Sequence, residues 1–277
     1  MHLPKKMICI FLSLFAVMSA LSGCGSEAKT VSDSGFYAIV YKDHCEINGM
    51  SAESEQVNVP QKIKGKPVTA IAEGTFSGLP VVSVTLPDTV TSIGKAAFAN
   101  CNNLVEIKLP GSLNALPDSV FFRCISLTSA NLPDSLVSIG ENAFYECNKL
   151  TIDRLPGSLV TIGPYAFAGC TSITGVSLPD TVSEIGDGAF EGASSLGAFS
   201  SGKGLVRIGK NAFGLCTALK SVTLNDGLSE IGTDAFAETA IESIDLPDSI
   251  TTLGGCFSGC KELKTAKLPS QITVIGD

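Results

Sequence analysis

Cysteine is the residue in this chain whose type and spacing come closest to a chemical site. Six cysteines each follow a phenylalanine by three residues, and they fall in register with one repeat: Cys101, Cys124, Cys147, Cys170, Cys216 and Cys260. Ala193 and Thr239 occupy the same position in two further repeats, so the position favours a small, fairly apolar side chain. The pattern predicts a column of buried free thiols. Disulfides between neighbours such as Cys101 and Cys124 are an alternative. A linear column disfavours zinc, whose ligands must converge on one point.

Other catalytic groups are scarce. His44 is the one histidine beyond residue 24, and no HExxH, phosphate-binding or dinucleotide-binding motif is present. We therefore interpret His44 as a turn residue and the chain as a non-enzyme without a cofactor or metal. Aspartates recur after Leu-Pro at Asp88, Asp134, Asp180 and Asp248, which could suggest calcium, but Gly111 and Gly157 interrupt the series. Turn formation explains them better, because Asp accepts hydrogen bonds from nearby backbone amides.

The N-terminal segment resembles a bacterial lipoprotein signal. Lys5 and Lys6 precede an apolar run over residues 7–21, and the letters LSGC ending at Cys24 resemble a lipobox. The resemblance implies a signal peptide over residues 1–23, lipid on Cys24 and a polar tether over residues 24–35. The protein would then be anchored by lipid to the outer face of a bacterial membrane. The alternative is an ordinary secretory signal with an incidental cysteine.

A repeat runs through most of the chain and must position these side chains. Six of the eight intervals between its anchoring phenylalanines are 23 residues: Phe76, Phe98, Phe121, Phe144, Phe167, Phe190, Phe213, Phe236 and Phe257. A fixed period of this length is typical of a solenoid, whose coils bury apolar side chains by stacking on their neighbours. The sequence predicts about nine coils of ~23 residues over residues 76–277, after a cap hairpin and first coil over residues 36–75.

Each repeat predicts the same local structure. An aliphatic residue and a leucine two positions later, as at Ile107 and Leu109, point the same way from a short strand, which proline ends. Glycine after isoleucine turns the chain, and the Ala-Phe segment fits a short helical or 3₁₀ turn. Each coil thus contributes one strand, and successive strands stack in parallel. Phe36–Val40 and Cys45–Ile47 are the predicted strands of the cap.

The frame LPDSxxxIGxxAFxxC resembles the bacterial surface leucine-rich repeats of the BspA type, over residues 36–277. The resemblance implies a right-handed leucine-rich-repeat solenoid with a parallel sheet on one face. It also implies a surface-exposed protein that binds protein ligands as an adhesin, on host matrix or on other bacteria. A cell-envelope scaffold that binds the cell's own proteins is the alternative.

Three departures from the frame predict local irregularity. Asp153 replaces the inward aliphatic residue of its coil, and an unpaired carboxylate is costly to bury. We therefore expect a bulge that turns Ile152 inward and Asp153 outward. Ser201 and Gly202 replace Leu-Pro, which predicts the loosest stacking near residues 200–205. The sequence ends halfway through a coil, and the last edge of the core is expected to be exposed.

The expected surface favours a protein partner. Charged residues make up 17% of the chain and the formal net charge is -8, a balance that disfavours nucleic acid. The residue between the aliphatic and the leucine of each strand is expected to face solvent: Lys108, Asn131, Arg154, Ser177, Ser200, Thr223, Asp245 and Lys267. Together they predict a broad, shallow surface, which suits a protein better than a small molecule. Phe122 and Tyr145, on adjacent coils, are candidate binding anchors, or else they pack over the turn and shield the core.

Overall fold

The computed structural model describes residues 28–51, 54–272 and 274–275. The LSGC segment, Cys24 and the whole of residues 1–23 lie outside these described residues. Within the described ranges, no helix has the length and apolar character needed to cross a membrane.

The described chain begins with an antiparallel cap of three strands: β1 (Lys29–Asp33), β2 (Phe36–Val40) and β3 (Cys45–Met50). Strands β2 and β3 confirm the predicted hairpin. The sequence predicts residues 24–35 as a tether, whereas β1 pairs with β2 along its full length. The reason is that Val31 packs against the core, so this polar segment has an apolar contact that fixes it.

The first coil contains β4 (Gln56–Asn58), β5 (Lys62–Ile63) and β6 (Lys66–Ile71). Strand β3 of the cap pairs in parallel with β6, while β5 pairs antiparallel with it. The cap therefore covers the exposed edge that the first coil would otherwise present, as the first unit of a solenoid requires.

The later coils contribute two short strands each, with one exception. In chain order these strands are β7 (Ser83–Thr85), β8 (Ser92–Ile93), β9 (Glu106–Lys108), β10 (Ala115–Leu116), β11 (Ser129–Ala130), β12 (Ser138–Ile139), β13 (Thr161–Ile162), β14 (Gly175–Ser177), β15 (Glu184–Ile185), β16 (Ala198–Ser200), β17 (Arg207–Ile208), β18 (Ser221–Thr223), β19 (Glu230–Ile231), β20 (Ser243–Asp245), β21 (Thr252–Leu253), β22 (Thr265–Lys267) and β23 (Val274–Ile275). Together with the first coil they form nine coils, each with one of the anchoring phenylalanines, and the start of a tenth among the described residues.

The strands stack into two parallel ladders on different faces of the solenoid. The predicted one, here called the strand face, comprises the sheets β4-β7-β9-β11, β14-β16-β18 and β20-β22. The second ladder comprises β3-β6-β8, the six-stranded sheet β10-β12-β13-β15-β17-β19, and β21-β23. The sequence pattern did not predict the second ladder, because a two-residue strand just before a glycine has no alternation of apolar and polar residues.

The core is one continuous stack of side chains. The rings of the anchoring phenylalanines lie face to face along the axis, with centroids 5.0 to 5.7 Å apart. Aliphatic residues of both ladders surround this stack and are buried. The ring spacing approaches the ~4.8 Å separation of paired strands, so aromatic packing and strand pairing stabilise the same coil spacing.

The Ala-Phe segment forms consecutive tight turns. Ala97 and Ala99 donate backbone hydrogen bonds to residues three positions earlier, as a 3₁₀ turn requires. However, Ala96 and Asn100 have φ angles of 52° and 59°, in the left-handed region, and later coils repeat this pair of left-handed residues. A left-handed residue at each end prevents the turn from continuing as a helix.

The glycine after isoleucine serves close packing of neighbouring coils. A Cβ atom on Gly186 would lie 2.5 Å from the backbone nitrogen of Pro164, and one on Gly140 would lie 2.7 Å from that of Asp118. Neither glycine has a positive φ. We predicted that glycine turns the chain here, and that explanation was wrong. Glycine is required because any side chain larger than its hydrogen atom would collide with the backbone of the preceding coil.

The predicted loosening near residues 200–205 was also wrong. Strand β16 pairs with both neighbours, and Ser201 donates its backbone N–H to the carbonyl oxygen of Thr223 at 2.9 Å. The amide group of Asn225 donates to the carbonyl oxygens of Lys203 and Leu205, both at 3.0 Å. Buried Gly202 and the Asn225 amide together replace the packing that Leu-Pro supplies in other coils.

Candidate functional site

The strand face presents the predicted column of side chains. Ser200 is half-buried and the other seven are exposed: Lys108, Asn131, Arg154, Ser177, Thr223, Asp245 and Lys267. Alternation along the strands produces this outcome, because a residue between two inward residues must point outward. Exposure of the column is thus confirmed, and a role in binding stays a prediction.

Along the described chain, the strand face is interrupted twice: β18 and β20 are not paired, and one coil contributes no strand at all. Residues 152–155, here called the break segment, form no strand, and the sheet that ends at β11 is separate from the one that begins at β14. Asp153 is exposed and Ile152 is partly buried against the core, which confirms the predicted bulge. Within the described residues, no backbone hydrogen bond joins the break segment to either neighbouring coil.

Two cavities flank the break segment. The first has a volume of about 300 Å³ and extends from Asn131 at the surface to the rings of Phe144 and Phe167 in the core. The second, of about 240 Å³, lies on the other side, against Gly175 and Val176. Both occupy the positions where ladder hydrogen bonds and an inward aliphatic side chain would lie in an intact coil. The bulge was predictable from the sequence, but these cavities were not.

Ion pairs across neighbouring coils set the charges around this region. Arg154 contacts the carboxylate of Asp134 at 2.7 Å, with both side chains more than two-thirds exposed. Arg123 with Glu146, and Lys203 with Asp180, make similar contacts elsewhere. Exposed pairs of this kind contribute little to stability, typically below about 1 kcal/mol.

The second ladder carries a compact charge cluster around Arg207. Its guanidinium contacts Glu184 at 2.6 Å, Glu230 at 3.1 Å and Asp187 at 3.4 Å. Burial works to lower the Arg207 pKa, but the hydrogen bonds with Glu230 and Glu184 outweigh it and raise the pKa above its ordinary value. Sequence reasoning missed this cluster, although its signal is visible as opposite charges at one repeat position in three successive coils.

The cysteine column is buried except for the half-buried Cys260, and the thiols of the described residues are free, which confirms the free-thiol interpretation. Each thiol of the column donates to the backbone carbonyl oxygen of the anchoring phenylalanine one coil earlier, at 3.0 to 3.1 Å. Burial raises the pKa of Cys147 to about 12 and that of Cys170 well above its ordinary value. Thiols held protonated in this way are poor nucleophiles and poor metal ligands, so the column is structural.

The remaining candidates have structural contacts. The rings of Phe122 and Tyr145 stack 5.1 Å apart and are half-buried. His44 stacks on Tyr41 and contacts Asp43 at 2.7 Å, in the turn between β2 and β3. In the described part of the chain, no group of three or more His, Cys, Asp or Glu side chains is arranged to hold a metal ion.

Two aspartates of the Leu-Pro-Asp series accept hydrogen bonds from backbone amides, but not from those of their own turn. The amide that Asp180 binds at 2.9 Å belongs to Lys203, and the one that Asp248 binds at 2.8 Å belongs to Ser270. Both amides belong to the next coil. The prediction that these aspartates form the turn therefore named the wrong partner, and their hydrogen bonds stabilise the stacking of one coil on the next.

Parallel ladders, a phenylalanine stack and a 23-residue period define a β-solenoid of leucine-rich repeats. A family model described as the BspA type leucine rich repeat region matches six copies, over residues 69–197 and 183–277. The chain belongs to this family.

Solved structures of similar proteins come from bacteria. A leucine rich repeat protein of T. pallidum is 27% identical, with a TM-score of 0.55, and the match covers 76% of this chain and 89% of that one. A leucine rich cell surface protein of Faecalibacterium prausnitzii is 21% identical over 86% of this chain and 94% of that one, with a TM-score of 0.41. The pneumococcal vaccine antigen PcpA is 18% identical over 90% and 87%, with a TM-score of 0.47. No curated protein matches the chain.

Proposed function

We propose that this protein is a lipid-anchored bacterial surface protein whose strand face binds a protein partner in the manner of an adhesin. Its family consists of repeat proteins that are typically found at the cell surface and are typically non-enzymatic. Lipid on Cys24 would hold the solenoid at the outer face of the membrane, as the LSGC segment indicates.

The observation that carries the binding proposal is the shape and chemistry of the strand face. Its ten coil positions at ~4.8 Å spacing give a face roughly 45 Å long. Small uncharged side chains occupy β14, β16 and β18, while charged residues lie on β9, in the break segment and on β20 and β22. A protein can cover such a long, shallow face, whereas a small molecule needs a deeper pocket.

Capture by candidate partners tests the proposal. The full chain, immobilised in mild detergent, is exposed to purified host matrix proteins and, separately, to the bacterium's own envelope extract. Saturable capture of a matrix protein supports adhesion. Capture of envelope proteins alone would indicate a scaffold, and capture from neither pool would remove the proposed function.

A pair of matched variants locates the binding face. Ser177→Arg places a long charged side chain in the middle of the strand face, and Thr161→Arg makes the same change at an exposed position of the second ladder. We expect Ser177→Arg to reduce capture at least tenfold and Thr161→Arg to leave it unchanged. Equal losses in both variants would contradict the assignment of the strand face.

The lipid anchor has its own test. Cells that express the full chain are grown with an alkyne-tagged fatty acid, and the purified protein is then examined for the tag. We expect label in the natural chain and none in Cys24→Ala. Equal labelling of both proteins would show that Cys24 does not carry the lipid, without affecting the binding proposal.

A further inference from the structure

The cavity between β11 and the break segment has room for one long side chain. Its volume of about 300 Å³ is at the small end of ligand pockets, which range over roughly 300–1,000 Å³. Ala130, Leu150, Phe144 and Phe167 line its inner part. A long apolar stem that entered here would bury its methylene groups against these side chains, and this burial would favour binding.

The walls of this cavity offer hydrogen-bond acceptors. The backbone of the break segment makes no ladder hydrogen bonds within the described residues. In coils whose strands are paired, the corresponding carbonyl oxygens point along the solenoid axis at the neighbouring strand. The backbone oxygens of the break segment, which lines the cavity, are not engaged in this way and are available to a donor.

The net charge at the rim is negative. Asp153 is exposed and has no ion-pair or hydrogen-bond partner among the described residues. The other charged residue of the lining, Arg154, is neutralised by its 2.7 Å contact with Asp134. The rim thus attracts a cation and repels a carboxylate.

From this combination we infer that the cavity beside Asp153 binds a lysine side chain of the protein partner, and the inference rests on the proposed function of the strand face. The four methylene groups of lysine would lie against the apolar lining. Its ammonium group has three N–H donors and no acceptor, which matches one carboxylate and the unpaired carbonyl oxygens. A glutamate would be repelled by Asp153, and an apolar side chain of equal length would leave the oxygens without a donor.

A model peptide tests this inference independently of the natural partner. The probe is the blocked pentapeptide acetyl-Gly-Ser-Lys-Ser-Gly-amide, compared with the same peptide carrying norleucine or glutamate in place of lysine. Amide chemical shifts of the isotope-labelled full chain are followed during titration. We expect saturable shifts at Asn131, Thr151 and Asp153 with the lysine peptide, at least fivefold tighter than with either of the others, and weaker binding as salt is added.

Variants separate a specific pocket from general attraction to an acidic protein. Asp153→Asn removes the free carboxylate and should lower the affinity for the lysine peptide about fivefold, which is the effect of losing an exposed ion pair. Asp245→Asn removes an equal charge from an intact coil of the same face and should change nothing. Ala130→Leu fills the cavity and should abolish binding while it leaves the fold intact.

Three results would overturn the inference: no binding of the lysine peptide, equal binding of the norleucine peptide, or equal effects of the two Asp→Asn variants. If the partner is captured by all these variants as well as by the natural chain, the lysine pocket is wrong and the proposed function of the strand face stands. If the lysine peptide binds as expected and no partner is captured from either pool, the pocket is present but the proposed function fails.

Discussion

Replacement of Gly186 by alanine tests whether glycine is required by the close approach of adjacent coils. The new Cβ would lie 2.5 Å from the backbone nitrogen and 2.6 Å from a backbone carbon of the preceding coil. An ordinary contact for such an atom begins near 3.4 Å. The two coils must therefore separate by most of an ångström at this point, and the obstacle is backbone, which cannot rotate away.

The expected cost follows from what that separation disturbs. Phe167 and Phe190 stack across the same junction at 5.2 Å, and β13 pairs with β15 there. Overpacking typically costs 1–3 kcal/mol. Because the clash is with backbone, we expect about 3 kcal/mol for Gly186→Ala, measured by urea denaturation followed by circular dichroism.

Two control substitutions make the test specific. Gly254 occupies the same repeat position near the end of the stack, but a Cβ there would meet only the hydroxyl of Thr233 at 3.5 Å, and Gly157 has nothing within 4 Å. Alanine at either site should be neutral or stabilise by up to ~0.5 kcal/mol, since it restricts the unfolded chain. If Gly186→Ala unfolds at the same urea concentration as Gly254→Ala, the close-packing explanation is refuted.

Three further predictions concern single positions. Cys147→Ala should destabilise by about 1–2 kcal/mol, because it removes a buried thiol and its hydrogen bond to a backbone carbonyl. Ala193→Cys should stabilise by about 1 kcal/mol, because it adds a buried thiol and its hydrogen bond at the interruption between Cys170 and Cys216. Both are measured by urea denaturation, and opposite signs would contradict the structural role. Leu215→Gly should raise the thermal midpoint by the equivalent of about 0.5–1 kcal/mol, because an exposed leucine there has a φ of 60°. The hydrogen bond from Lys95 holds the Asp118 pKa below its usual value of 3.8, so its stabilising effect is complete above that pH and is lost as the pH falls through the lower folded-state pKa. Asp118→Asn should therefore destabilise at neutral pH and approach the natural chain in strong acid, and a deficit that does not change with pH would contradict this reasoning.

Sequence reasoning was reliable where the determining interaction lies within one coil. The positions of the phenylalanines, the inward aliphatic residues and the cysteines could be assigned, because burial repeats at fixed offsets from the same anchor. The outward turn of Asp153 was predictable for the same reason: the cost of burying a carboxylate depends only on its own position.

Reasoning from the sequence failed where one coil meets the next. The role of Gly186 depends on Pro164, and the firm stacking at Gly202 depends on the Asn225 amide of the following coil. The Arg207 cluster requires that three residues one coil apart in sequence lie beside each other. Each of these outcomes depends on the register between coils, which no single repeat contains.

The sequence by itself determined the repeat architecture, the family and the side chains that face the core, because a 23-residue period and its apolar offsets are local properties. Only the tertiary structure decided that a second ladder exists, that the glycines serve close packing and that the coil of Asp153 leaves cavities beside an unpaired carboxylate. The physical reason is that a missing strand removes hydrogen bonds and packing from both of its neighbours at once. The size of the resulting space depends on how closely the coils before and after it approach each other.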